Sequence, residues 1–224
     1  MDGEELRPGL WRWTAPHPEW TPEEGGPTGW DEEVGCVLCI AQDAIVLIDP
    51  LVPSGEPDRF WAALDRDVEQ WARPVHVLLT VSWHERSAQA MVDRYGGRLW
   101  AHERVLQAEG SFGARVTDPF RDGAALPGGV EAFDASRSDE VVYWLPEHGA
   151  LVPGDVLLGG GGGDLRLCPE SWLPAGVGYP QLQAALRPLL DRPIELVLVS
   201  HGEPVLEGGR DALARALDQA PSAA

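Results

Sequence analysis

The stretch Val75–Tyr95, VHVLLTVSWHERSAQAMVDRY, narrows the possible folds of this chain more than any other. Val75 to Thr80 is a short apolar run rich in β-branched residues, the pattern of a buried strand. Ala88, Met91, Val92 and Tyr95 then recur at helical spacing, and Gly96-Gly97 stops the helix. Between them Val81-Ser82-Trp83-His84-Glu85-Arg86 makes a strand-to-helix turn. In α/β proteins such a turn, at the carboxyl end of a strand, is where ligands sit.

The flanking sequence repeats the alternation. Gly9 to Thr14 reads as a first strand, and the Pro/Gly/Trp-rich Ala15 to Trp30 as an irregular loop packed on the body, with Trp20 or Trp30 as alternative pocket walls. Val34 to Ala41 and Ala44 to Asp49 read as a β-hairpin. Glu56 to Ala72 reads as a helix with Phe60, Trp61, Leu64, Val68 and Trp71 along its apolar stripe. Arg98 to Ala101 is an expected strand, His102 to Ala108 a short helix and Gly110 to Pro127 a surface loop. Val130 to Phe133, Glu140 to Leu145 and Ala150 to Leu158 are further strands, with His148 solvated at the turn before the last. The run Gly159 to Gly163 is a flexible loop or a ligand floor, and lacks the spacing of a phosphate loop. Tyr179 to Leu190 is a helix, Ile194 to Ser200 a buried strand and Arg210 to Ala220 a closing helix.

Charge excludes some partners. The 224 residues carry 17 basic and 36 acidic side chains, a net charge of −19, which disfavours nucleic acid and anionic membranes. No apolar run is long enough for a membrane helix, and the first residues lack a secretory signal. Three cysteines, an odd number, fit a reducing compartment and a cytoplasmic protein. Cys36 and Cys39 have CxxC spacing but fall on a strand, where positions three apart face opposite sides, so two buried core thiols are expected.

Three pieces together resemble one family. The Leu-Leu-Thr strand with its turn, Gly154-Asp155 after a strand–turn–strand, and His201-Gly202 after the last strand are similar, in order, to the metallo-β-lactamase superfamily. The resemblance covers about residues 8 to 219 and implies one domain over 1–224, an α/β protein folded as an αββα sandwich. In that family the turn reads His-x-His-x-Asp-His and supplies most ligands of a two-metal site. Here those positions hold Val81, Trp83, Glu85 and Arg86, and the third histidine falls near Ser136. Asp155 and His201 match ligand positions, and Asp49 matches an aspartate that bonds the backbone of the turn.

These residues leave two functions open. The first is a metal-free member of the fold, with a dismantled site and a cleft for a small molecule or a protein partner, and with no cofactor. Here Arg86 replaces a metal by pairing with Asp155 or Glu85, and the Trp83 indole fills the volume of the first metal against Val81. The second is a hydrolase of an ester, thioester, amide or phosphoester with one zinc, manganese or iron ion on Glu85, Asp155 and His201. His84 occupies a spacer position and is expected to point away. Ser82, Ser87, Ser136 and Ser200 lack the context of a nucleophile.

Overall fold

Short β-branched runs carry most of the apolar residues, and the computed structural model of the protein, which describes residues 3–26, 29–107, 115–137 and 140–218, pairs them into two sheets. The first holds seven strands in chain order: β1 (Glu4–Arg7), β2 (Leu10–Pro16), β3 (Glu33–Ile40), β4 (Ile45–Ile48), β5 (Val75–Leu79), β6 (Arg98–His102) and β7 (Asp118–Phe120). Pairing is antiparallel from β1 to β4 and parallel from β4 to β7. Parallel neighbours require crossovers, and α1 (Pro57–Trp71) and α2 (Ala88–Tyr95) supply the two on either side of β5. The second sheet is made of β8 (Glu131–Asp134), β9 (Val141–Leu145), β10 (Ala150–Val152) and β13 (Leu196–Val197), ordered β13-β10-β9-β8. A separate hairpin, β11 (Leu157–Gly161) with β12 (Asp164–Leu167), and two helices, α3 (Tyr179–Leu186) and α4 (Gly209–Asp218), complete the described chain.

Side-chain alternation along the strands sorts the core into three layers. Leu38, Leu47, Val77 and Leu79 face Phe60, Leu64 and Met91 of the first helix pair. Val37, Val46, Ile48 and Leu78 meet Tyr143, Leu145 and Val152 between the sheets. Val142, Trp144 and Leu151 pack on Leu182, Leu186, Leu213 and Leu217 of the second pair. Helices outside two facing sheets make the αββα sandwich. Cys36 and Cys39 obey the same alternation, buried in the first and second of these layers as free thiols. No described helix is long and apolar enough to cross a membrane.

Several expectations need correction. An additional strand, β1, pairs with β2, and β7 lies within the region read as a surface loop. Residues 110–114 of that region, Ala108 of the expected short helix and residues 219–220 of the closing helix lie outside the described residues. The short helix reduces to a 3-10 turn, Val105–Gln107, and the strand expected over Ile194 to Ser200 pairs as Leu196–Val197. The segment Ala150 to Leu158 divides between β10 and β11. Trp71 is exposed, at the end of α1, with the Arg73 guanidinium 5.2 Å from its ring. His148 is buried, because the turn that carries it folds under Arg7, whose guanidinium donates to the His148 carbonyl at 2.8 Å. The glycine run begins in β11, where Gly159 donates its N–H to the His201 carbonyl at 2.9 Å, and Gly160 to Gly163 form the exposed tip of the β11–β12 hairpin.

The two sheets are stitched at one end by backbone bonds. Val141 donates to the Thr80 carbonyl at 2.9 Å, and Gly35 donates to the Ser200 carbonyl at 2.7 Å. The Tyr143 hydroxyl adds a bond to the Leu79 carbonyl at 2.8 Å. At Gly35 the approach is so close that a Cβ would lie 2.5 Å from the Val199 carbonyl oxygen. Gly35→Ala therefore has to push the sheets apart, and we expect a loss of about 1–3 kcal/mol in urea unfolding, as for other overpacked sites. Gly55→Ala, where an added Cβ meets nothing within 4 Å, is the control that does not lower stability.

Candidate functional site

The stitched end brings together the ends of four strands. β4 delivers Asp49, β5 delivers Thr80 and the 3-10 turn Ser82–Glu85, the loop after β10 delivers Asp155, and the loop after β13 delivers His201. Asp49 has a positive φ of 49° and turns its carboxylate back under the next strand. Its Oδ1 accepts from the Thr80 backbone N–H at 2.9 Å, one residue before the turn whose backbone it was expected to bond. Its Oδ2 accepts from the Thr80 hydroxyl at 2.5 Å and faces His84 Nδ1 at 2.9 Å. A carboxylate accepts only, so Nδ1 donates to Asp49, and in the neutral form of His84 the lone pair is on Nε2, although that nitrogen too faces a carboxylate. That nitrogen points at Asp155 Oδ1, 3.2 Å away.

Asp155 is held as firmly. Glu140, fully buried, accepts from the Asp155 and Val156 backbone N–H groups at 2.6 and 2.9 Å through one oxygen, and pairs with Arg137 at 3.2 Å through the other. Burial and the nearby Asp155 charge push Glu140 up to about 8, against Arg137 and the Val156 N–H. Gly154 leaves room for this clamp, since a Cβ there would lie 2.5 Å from Glu140 Oε1. The Trp83 indole N–H donates to Asp155 Oδ2 at 2.7 Å. Asp155 Oδ1, in contrast, lies 3.2 Å from both His84 Nε2 and His201 Nε2, yet neither approach has hydrogen-bond direction, and the oxygen is buried without a partner. His201 Nδ1 is likewise unpartnered.

Three donor atoms that converge without bonding one another are what a metal ion requires. Among the described residues His84, Asp155 and His201 form the candidate group, each offering one atom within 4.8 Å of the others. Donors bound to one tetrahedral zinc at ~2.0 Å lie about 3.3 Å apart, close to the two 3.2 Å separations here. Two imidazoles and a carboxylate suit zinc, and His84 has the carboxylate on its second nitrogen that metal-binding histidines use. The residues therefore fit one divalent ion. Electrostatics agree in sign. Burial and Arg86 push His84 down, but Asp155 and Asp49 outweigh them and raise it above its ordinary value. The field that favours a proton on His84 also favours a cation at its Nε2. Burial would raise Asp155, yet His84 and His201 beside it hold its carboxyl well below the usual range. Burial, with the charges of His84 and Arg86, lowers His201 against the pull of Asp155.

Of the residues expected at this site, Asp49, Asp155 and His201 converge, and four others, Glu85, Arg86, Trp83 and Ser136, make contacts other than those expected. Glu85 turns outward on the 3-10 turn and pairs with Arg115, and is not part of the group formed by His84, Asp155 and His201. Arg86 bonds neither Asp155 nor Glu85. Its guanidinium donates to the Gly35 and Asp49 carbonyls at 3.3 and 3.0 Å and to the Ser200 hydroxyl at 2.8 Å, and its φ of +39° aims it there. Trp83 does not fill a void beside Val81. It is 45% exposed, with Arg137 stacked 4.7 Å over its ring. Ser136 donates its N–H to Asp134 and lies outside the cleft lining. His84 replaces Glu85, contrary to expectation, because the turn winds as a 3-10 helix and swings position 84 inward. A cleft of about 480 Å³ opens above the cluster, walled by His17, Trp30, Trp83, Arg137 and Trp172. Trp30 was an open alternative in the sequence. His17, Arg137 and Trp172 lie far apart along the chain and had no local signal.

No protein-family profile matches the sequence, and no curated protein matches it. Solved structures do. A metallo-β-lactamase from Erythrobacter litoralis superposes with a TM-score of 0.63 at 19% identity, over 96% of this chain and 90% of that one. One from Pontibacter korlensis gives 0.64 at 17% identity, over 97% and 99%. The metallo-β-lactamase FIM-1 from Pseudomonas aeruginosa, in its mono-zinc form, gives 0.62 at 13% identity, over 96% and 94%. Likeness at such low identity concerns architecture and not chemistry. With superpositions that cover nearly all of the chain, the chain has the metallo-β-lactamase fold.

Proposed function

We propose that the protein is a hydrolase dependent on a single divalent metal ion held by His84, Asp155 and His201, with zinc as the best match to two imidazoles and a carboxylate. The observation that carries this reading is Asp155 Oδ1, buried and unbonded between two imidazole nitrogens at 3.2 Å. When bound, such an ion supplies a Lewis acid and brings a water's pKa to about 7. The chain's own residues prepare the site. Asp49 keeps the Nδ1 proton of His84, so that Nε2 faces the cleft. Trp83 occupies Asp155 Oδ2 and leaves Oδ1 for the ion. Trp30 and Trp172 flank His201 edge-on at 5.1 and 6.4 Å between ring centroids and screen it from bulk water. The reaction is addition of water to an acyl or phosphoryl centre. A bond forms from the water oxygen, the bond to the leaving oxygen, sulfur or nitrogen breaks, and a proton passes from water to that group.

One observation favours the second reading, a metal-free binding cleft. Arg86 lies near enough for its charge to push down both His84 and His201, and it would repel a cation as well. Metal analysis of protein purified without chelator separates the two. The hydrolase reading expects about one equivalent of zinc, a melting temperature lowered by chelator and restored by zinc, and chelator-sensitive cleavage of an ester, thioester, amide or phosphoester that His201→Ala abolishes. Negligible metal and a melting temperature indifferent to chelator and zinc select the metal-free cleft.

Asp49→Asn tests the imidazole's orientation. An amide N–H facing Nδ1 drives the His84 proton to Nε2, where it blocks the ligand position. We expect zinc affinity, measured by competition with a chromogenic chelator, to fall by about 10–100-fold, the usual effect of losing such a partner.

A further inference from the structure

We infer that the cleft takes a substrate bearing a cationic, ammonium-type group, which sits at the rim among indoles and carboxylates while the scissile bond lies over His84, Asp155 and His201. This rests on the hydrolase reading and names its substrate class. The first observation is the disposition of charge. Glu19, Glu23 and Glu24 line the mouth of the cleft, all exposed. Among the described residues none forms an ion pair with Glu19 or Glu23, and the Glu24 carboxylate accepts only the Trp30 indole N–H, at 3.2 Å. The two cations of the cleft are already engaged. Arg86 is held by two carbonyls and a hydroxyl, and Arg137 by buried Glu140 and the Trp83 ring. At the mouth, carboxylates without an ion pair are therefore open to an entering cation, on a chain whose net charge of −19 attracts cations from a distance.

The second observation is aromatic. Trp30, Trp83 and Trp172 wall the cleft, and an indole face is the best π-surface for a cation. The protein already uses one face in this way, with Arg137 at 4.7 Å from the Trp83 centroid. Indoles with carboxylates form the chemistry that recognises alkylammonium groups, whereas a site for anions would leave Arg86 or Arg137 uncommitted. The third observation lies at the floor. Asp155, 4% exposed, lines the cleft with its Oδ1 unpartnered between two imidazoles, so the mouth leads to a buried group that awaits a ligand.

Tryptophan fluorescence titration with acetylcholine, and with its uncharged carbon isostere 3,3-dimethylbutyl acetate, tests the inference on the protein as purified and again after chelation. We expect acetylcholine to bind at least about tenfold more tightly, a ratio within reach of a cation–π contact assisted by carboxylates. Salt should shrink the difference, because the rim is exposed. Glu19→Gln combined with Glu23→Gln, at exposed positions that do not bear on folding, should remove most of it at an unchanged melting temperature. Equal binding of the two esters, tighter binding of the uncharged one, or no binding of either overturns the inference. The readout needs neither turnover nor metal, so a protein without zinc that still prefers the cation would contradict the hydrolase reading alone.

Discussion

The carboxylate of Asp49 is the contact on which the site depends. It ends β4, accepts the backbone and hydroxyl of Thr80 at the end of β5, and faces Nδ1 of His84. Its two oxygens thus join the parallel strands of the first sheet to the turn that follows them. They also decide which imidazole nitrogen looks into the cleft. A buried carboxylate is costly unless its lone pairs are used. Here the strand ends supply the donors, so scaffold and site share one set of bonds.

A second carboxylate does the same from the other sheet. Glu140 precedes β9 and clamps the backbone of Asp155, while the Trp83 indole takes one of the Asp155 oxygens. The other oxygen is left between two imidazoles. Burying that atom unsatisfied costs on the order of 1–3 kcal/mol or more, because it is charged. A native structure tolerates such a cost where a ligand relieves it. Arg86 bears on the same question from below. It braces Gly35, Asp49 and Ser200, where the sheets meet, so its charge is spent on backbone and hydroxyl groups and not on the carboxylates of the site.

Much of the architecture was legible because it depends on periodicity and order. The run of Val75 to Leu79, the stripe of α1 from Phe60 to Val68 and the placement of Asp49, Asp155 and His201 at strand ends survive from sequence to structure. Side-chain direction in the turn after β5 was not legible. Pattern gives strand and helix, but within Ser82–Glu85 each direction depends on local backbone angles, and the 3-10 winding exchanges the roles of His84 and Glu85. Arg86 was misread for a related reason. Its acceptors are two carbonyls and a hydroxyl, none of which marks a sequence. Trp83 was assigned to a cavity by its bulk, whereas its N–H decides its place. His17, Arg137 and Trp172 converge on the cleft from separate segments and carry no motif.

A crystal structure of the zinc-soaked protein, with anomalous data at the zinc edge, tests the central claim most directly. The account predicts one peak, with His84 Nε2, Asp155 Oδ1 and His201 Nε2 as ligands at ~2.0–2.2 Å and the Trp83 indole still on Asp155 Oδ2. A peak at Glu85, or the absence of a peak with His201 hydrogen-bonded directly to Asp155, would contradict it.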